Sequence, residues 1–202
     1  MMGYFVIKEL KGMIQSSIDI KLAILEDQCI LEQILESAIL MENSINVGGK
    51  ILFAGNGGSA ADAQHLAAEL VSRFEIERGA LPGLALTTDT SIITAIGNDY
   101  GFENIFQRQL EAIAKAQDIF VGITTSGKSK NILAGFKQAK SMGLHTIALC
   151  GMGGEEIDDL VDIAIRVPSS STPRIQEAHI LIGHILCAII ERSHVKHAAI
   201  KL

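Results

Sequence analysis

From residue 50 onward, short apolar runs alternate with longer stretches of helical spacing, and this alternation constrains the fold more than any other feature. Lys50–Gly55 (KILFAG) runs into glycines, and the Ala-rich segment Ser59–Phe74 that follows reads as a helix. Leu84–Leu86 is strand-like, Asp118–Ile123 precedes a helix at Ser129–Met142, and His145–Leu149 precedes a short helix near Glu155–Leu160. Ile163–Val167 then leads through a Ser/Pro loop to a helix from Arg174 to Ser193. Strands alternating with helices of about 10–15 residues predict an α/β fold, a parallel β-sheet flanked by helices on both faces. Residues 7–45 carry helical spacing with few breakers, so residues 1–45 are expected to form an N-terminal helical segment packing on a domain of residues 46–202. A length of 202 residues suits one domain, and a 48% hydrophobic chain with 4% aromatics suits helices layered on a parallel sheet.

Charge and cysteine usage narrow the function classes. A formal net charge of −6 argues against a nucleic-acid footprint, which needs clustered Lys and Arg. It leaves room for a phosphate pocket, because backbone N–H groups at helix N-termini bind anions without net positive charge. Cys29, Cys150 and Cys187 are scattered and odd in number, so reduced thiols in a cytoplasmic protein are expected. The N-terminal MMGYFVIKELKG lacks the basic and apolar regions of a signal peptide. The longest apolar run, Ile180–Ile190, is interrupted by His184 and falls short of the roughly 20 apolar residues of a spanning helix. No membrane segment is expected.

Open parallel sheets bind ligands beyond the carboxyl ends of their strands, which directs attention to the turns after Phe53 and Ile123. The first, Gly55-Asn56-Gly57-Gly58-Ser59-Ala60, matches the dinucleotide pattern G-x-G-x-x-A, but the acidic residue that pattern needs about 20 positions on arrives late, as Asp89. The second, Gly122 to Ser129, matches G-x-x-x-x-G-K-[ST], yet the later strands run into Cys-Gly and Pro-Ser and supply no Asp for Mg²⁺. No nucleotide is expected at either. Both loops still end a strand, carry hydroxyls and open a helix, which makes a generic anion site. Ser59 and Ser129 could alternatively be simple N-caps. Hydroxyls at Thr124, Thr125, Ser126 and Ser129 favour a phosphate.

Polar residues stand where a core helix should be apolar. Asp62, Gln64, His65 and Glu69 follow the first loop, and His65 and Glu69 at i,i+4 share a face that can grip one metal or substrate, or simply form a surface hydrogen bond. The last helix adds Gln176, Glu177, His179 and His184. Amid ILIGHILCAII, His184 needs a partner, either in a site or as a core histidine on a backbone carbonyl. Gly97-Asn98-Asp99-Tyr100-Gly101 reads by itself as a turn.

Taken in order, AGNGGSAADAQHLAAE (54–69), ALTTDTSIITAIGNDYGF (85–102), GITTSGKSKN (122–131) and RIQEAHILIGH (174–184) resemble the phosphoheptose isomerases, whose fold is the sugar isomerase (SIS) domain. The resemblance spans about residues 45–192. It implies an isomerase that converts sedoheptulose 7-phosphate to D-glycero-D-manno-heptose 7-phosphate through an enediol, the first step toward heptose for lipopolysaccharide or capsule. By the same similarity Asn56, Gly57, Gly58 and Ser59 would contact the sugar, Asn98 and Asp99 would hold its hydroxyls, and Thr124, Thr125, Ser126 and Ser129 would cradle the phosphate. His65, Glu69, Gln176 and His184 match the family's zinc positions, and Glu69 and His184 its acid–base pair, with Glu69 and Gln176 also at the substrate. Where many relatives have Ser, this chain has Thr124, which keeps the hydroxyl. A homotetramer with sites at subunit boundaries is implied as well. Relatives of this fold also act as non-catalytic phosphosugar sensors or bind a replication initiator, but the full set His65, Glu69, Gln176 and His184 favours catalysis.

Overall fold

The computed structural model describes the backbone of residues 2–200 and the side chains of residues 6–196. Two helices, α1 (Met2–Glu26) and α2 (Gln28–Asn46), precede the sheet. They break at Asp27, whose carboxylate caps α2 by accepting the Ile30 N–H at 3.1 Å. Five strands follow: β1 (Ile51–Gly55), β2 (Gly83–Ala85), β3 (Ile119–Thr124), β4 (His145–Cys150) and β5 (Ile163–Arg166). They form one fully parallel sheet in the order β2-β1-β3-β4-β5. Between them run α3 (Gly58–Val71), α4 (Thr90–Tyr100), α5 (Ile105–Ile113) and α6 (Lys130–Ser141), and α7 (Thr172–Ile200) comes after β5. The alternation expected from the sequence is therefore present, with strand limits displaced by a residue or so.

Side chains alternate across a strand, and the central strands bury both sets. Ile51, Phe53, Ile119, Val121, Ile147 and Leu149 face one core shared with α2, α3 and α7. Leu52, Ala54, Phe120 and Ala148 face a second core shared with α5 and α6. From α2, Ile30, Ile34, Ala38 and Met41 join the first core. By length and composition α7 could cross a bilayer, yet Ile175, Ala178, Ile182, Leu186 and Ile190 bury one side of it in that same core.

One segment departs from the sequence reading. Gly97–Tyr100 is not a turn but the last turn of α4, which Gly101 ends with φ +91°. Asp89, placed too late for a dinucleotide site, instead caps α4 by accepting the Ile92 N–H at 2.9 Å. No residue of α4 is buried. On α1, Ile7, Leu10, Ile14, Ile18, Leu22 and Leu25 form an exposed apolar stripe at helical spacing.

Candidate active site

β1 and β3 are neighbours in the sheet, with Gly55 in register with Ile123, so the loops after them open side by side. The strand order reverses here, which is where open α/β sheets take ligands. The side-chain amides of Asn56 and Asn131 exchange two hydrogen bonds, at 2.9 and 2.8 Å, and lock the first loop to the start of α6. In the second loop Gly127 has φ +67°, and a Cβ there would overlap the Gly153 carbonyl oxygen and lie 2.8 Å from the Gly154 Cα. The loop at 151–154 thus braces the loop at 124–129, and Arg166 braces it in turn by donating to the carbonyls of Gly151, Gly153 and Gly154.

Neither serine acts as a simple cap. The N-cap of α3 is Gly57, φ +55°, and Ser59 lies buried in the first helical turn. Ser129 does occupy the N-cap of α6, but its hydroxyl makes no cap bond and pairs with the Thr124 hydroxyl at 3.1 Å. Ser126 is exposed and accepts the Lys128 N–H at 3.2 Å, and Thr125 is half-buried beside it. This gathers hydroxyls at a helix N-terminus, where backbone N–H groups suit an anion.

The polar residues of α3 and α7 meet because the two helices lie side by side and run the same way. Gln176 lies against Gly58, Gly183 against Leu66, and His184 against His65. At Gly58 a side chain would overlap the Gln176 amide, and at Gly183 a Cβ would fall 2.5 Å from Leu66 Cδ2. That close approach brings His184 Nε2 to 2.9 Å from His65 Nε2, which is 3.3 Å from a Glu69 carboxylate oxygen. One donor atom from each of these three residues lies within 4.8 Å of the others. Two imidazoles and a carboxylate at that spacing fit a zinc donor set of the catalytic kind, which keeps a further position open. Gln176 sits toward the start of the pair, against Gly58 and near Asp62. Burial pushes the Asp62 carboxyl above its ordinary value, and Gln176, His65 and His184 pull it partly back. From the same helix Gln64 donates to the Thr87 carbonyl at 3.3 Å.

His184 is half-buried, with the Phe74 ring centroid 5.2 Å away. The fully buried core histidine is its neighbour His179, beside the Cys150 backbone, where burial pushes its pKa down to about 4. Asn98 and Asp99 lie on the exposed side of α4 and bond to each other at 2.7 Å; among the described residues no hydrogen bond joins them to either loop. Asp62 and Phe74 are neighbours of the cluster that sequence reasoning did not assign. For Asp62 the signal was available, since it precedes His65 by the spacing of one helical face. For Phe74 none was, because its partner stands on another helix far along the chain.

The SIS-domain profile matches residues 16–151. The phosphoheptose isomerase of Sulfurimonas denitrificans is 54% identical over 185 residues, 92% of this chain and 95% of the relative. That of Aneurinibacillus thermoaerophilus is 53% identical over 184 residues, 91% and 93% of the two chains. Among solved structures, a phosphoheptose isomerase from Francisella tularensis superposes with a TM-score of 0.88 at 39% identity, covering 93% of this chain and 98% of the other. The phosphoheptose isomerase from Neisseria gonorrhoeae gives 0.86 at 41% identity, covering 93% and 99%.

Proposed function

The chain belongs to the phosphoheptose isomerase family of SIS-domain proteins and is an aldose–ketose isomerase, and from that premise we propose how its own residues carry the reaction. The substrate is sedoheptulose 7-phosphate and the product D-glycero-D-manno-heptose 7-phosphate, interconverted through an enediol. Glu69 takes the proton from C1 and returns it at C2, while His184 moves a proton between O1 and O2. The observation that carries this reading is the convergence of Glu69, His65 and His184 from two helices, beside the first glycine loop. A carboxylate and an imidazole within a few ångströms are the pair that enediol chemistry needs.

The phosphate is read at Thr124, Thr125, Ser126 and Ser129, supported by the uncommitted cap position of Ser129 and the exposed hydroxyl of Ser126. Binding energy from this remote group positions C1 and C2 for Glu69. Asn56, Gly57, Gly58, Ser59 and Gln176 line the sugar between the two ends. Paired to Asn131, Asn56 has a fixed orientation, so it presents a set face to a ligand.

His65, Glu69 and His184 would hold zinc, with Gln176 as a fourth ligand. Bound there, it would supply Lewis-acid polarisation of the substrate carbonyl. A lone pair given to a metal is not free for a proton, so Glu69 and His184 each serve one role at a time. A homotetramer with sites at subunit boundaries is supported by the apolar stripe of α1 and by α4, which carries Asn98 and Asp99 but buries nothing within its own chain. A cytoplasmic location agrees with three unpaired thiols. The non-catalytic alternative, a sensor or initiator-binding protein, is not favoured, since it would not require the converged cluster.

The test is incubation of zinc-loaded protein with sedoheptulose 7-phosphate, following the heptose 7-phosphate by NMR, with Glu69→Gln as control. Turnover in the parent and none in the variant is expected. A variant of near-normal rate removes Glu69 as the base.

A further inference from the structure

A buried ion pair that the mechanism does not use joins Glu191, two turns past His184 on α7, to Arg78 beyond the end of α3. Glu191 is 1% exposed, and its carboxylate accepts the N–H groups of Phe74, Glu75 and Ile76 at 2.9, 2.7 and 2.8 Å. Arg78, its side chain 3% exposed, places Nε 3.1 Å from Glu191 Oε1. The remaining guanidinium nitrogens donate to the carbonyls of Glu69, Leu70, Ser72 and Gly79, at 2.9, 2.8, 3.2 and 3.0 Å. Those of Glu69 and Leu70 are among the C-terminal carbonyls of α3 that lack intrahelical partners.

The geometry points to Arg78 and Glu191 as positioning residues for the acid–base cluster, a buried ion pair that joins the end of α3 to α7 and seats the Phe74 ring against His184. This rests on the reading of His184 as the acid. Glu191 and His184 are seven residues apart on α7 and so share a face. One carboxylate fixes three consecutive backbone N–H groups, which sets the direction in which Phe74 leaves the chain. The Phe74 ring, tilted 37° to the imidazole with centroids 5.2 Å apart, stands against His184, whose Nε2 lies 2.9 Å from that of His65. Closing α3 onto α7 would not by itself require charge, since apolar residues serve a purely structural role as well or better than a buried ion pair. What apolar residues cannot do is hold those three N–H groups and the last carbonyls of α3 in one arrangement.

The test uses the full chain with both charges replaced, Arg78→Met/Glu191→Met, together with Phe74→Leu. Readouts are the melting temperature, kcat and KM for sedoheptulose 7-phosphate, and the imidazole proton shifts of His184. The double variant retains Phe74, so a loss of its ring-current shift on His184 reports that the ring has left its seat. The expected result is a folded protein whose His184 signal moves, whose kcat falls about tenfold or more, and whose KM stays within about twofold. Phe74→Leu should lower kcat in the same sense, and Phe74→Tyr should restore it. A folded double variant with parental kcat overturns the proposal, whether or not the His184 signal moves. If the double variant does not fold, parental kcat in Phe74→Leu overturns it. Should His184→Asn keep turnover, the acid assignment fails instead, and an unmoved His184 signal in the double variant then refutes the seating separately.

Discussion

Replacing Gly183 with alanine puts a methyl group where α7 comes closest to α3. The new Cβ would lie 2.5, 2.7 and 3.1 Å from Leu66 Cδ2, Cδ1 and Cγ. Carbon atoms rest at about 3.5–4.0 Å, so about 1.0–1.5 Å must be found. Leu66 is 1% exposed and walled in by the core, so part of that distance falls on the helices. Overpacking of this kind costs about 1–3 kcal/mol, while exchanging Gly for Ala inside a helix returns about 1 kcal/mol. The net change in stability is therefore small, about 0–2 kcal/mol. The site is affected far more, because His184 is the next residue and its 2.9 Å approach to His65 depends on the same contact. Displacement of a reacting group by about 1 Å is worth about 100-fold in rate. Calorimetry should show a modest fall in Tm, and the NMR assay a kcat lower by one to two orders of magnitude. Adding Leu66→Ala removes the clashing atoms and should recover part of that kcat. A Gly183→Ala enzyme with kcat within about twofold of the parent would refute the reasoning, as would a loss that Leu66→Ala leaves untouched.

Three further outcomes are expected. Gly127→Ala forces φ +67° on a side chain and drives its Cβ into the Gly153–Gly154 backbone, so KM for the phosphosugar should rise about tenfold or more with kcat little changed; an unmoved KM would put the phosphate elsewhere. The unfolded chain protonates His179 near pH 6.5 and the folded chain only near 4, so the unfolded state binds more protons in between. Stability should thus be full above pH 6.5 and fall by about 3 kcal/mol toward pH 4, a slope that urea titrations should find flattened in His179→Asn. Removal of one imidazole in His65→Ala should lower the zinc retained per chain after dialysis, measured by atomic emission, and equal retention would exclude the site.

Much of this architecture is legible in the residue order because each signal is local. An apolar run ending in glycine followed by an Ala-rich stretch suffices for β1 and α3, and hydroxyls before Lys130 suffice for the second loop. Local signals also mislead where two roles use one residue type. Asn98 and Asp99 look like turn residues, yet Asp89 caps a helix that runs through them, and β-branched Thr and Ile hide its helical spacing. A histidine amid aliphatics could be core or site; here His179 is the core one and His184 the site one, a distinction set by which face of α7 meets α3. The contacts of Phe74 with His184 and of Arg78 with Glu191 leave no trace in spacing, since each joins side chains that only tertiary packing brings together.

The meeting of His65 and His184 closes a loop of 119 residues. Contacts so distant along the chain cost more closure entropy than local ones, so α7 is expected to dock after the local elements form. A chain with its sheet and both glycine loops in place, but with α7 not yet docked, holds the hydroxyl cradle and Glu69 without their acid. Such an intermediate would capture a phosphosugar before it could turn one over, and the captured ligand would favour the compact state by mass action. Recovery of binding would then precede recovery of turnover during refolding, with the substrate acting first as a folding aid.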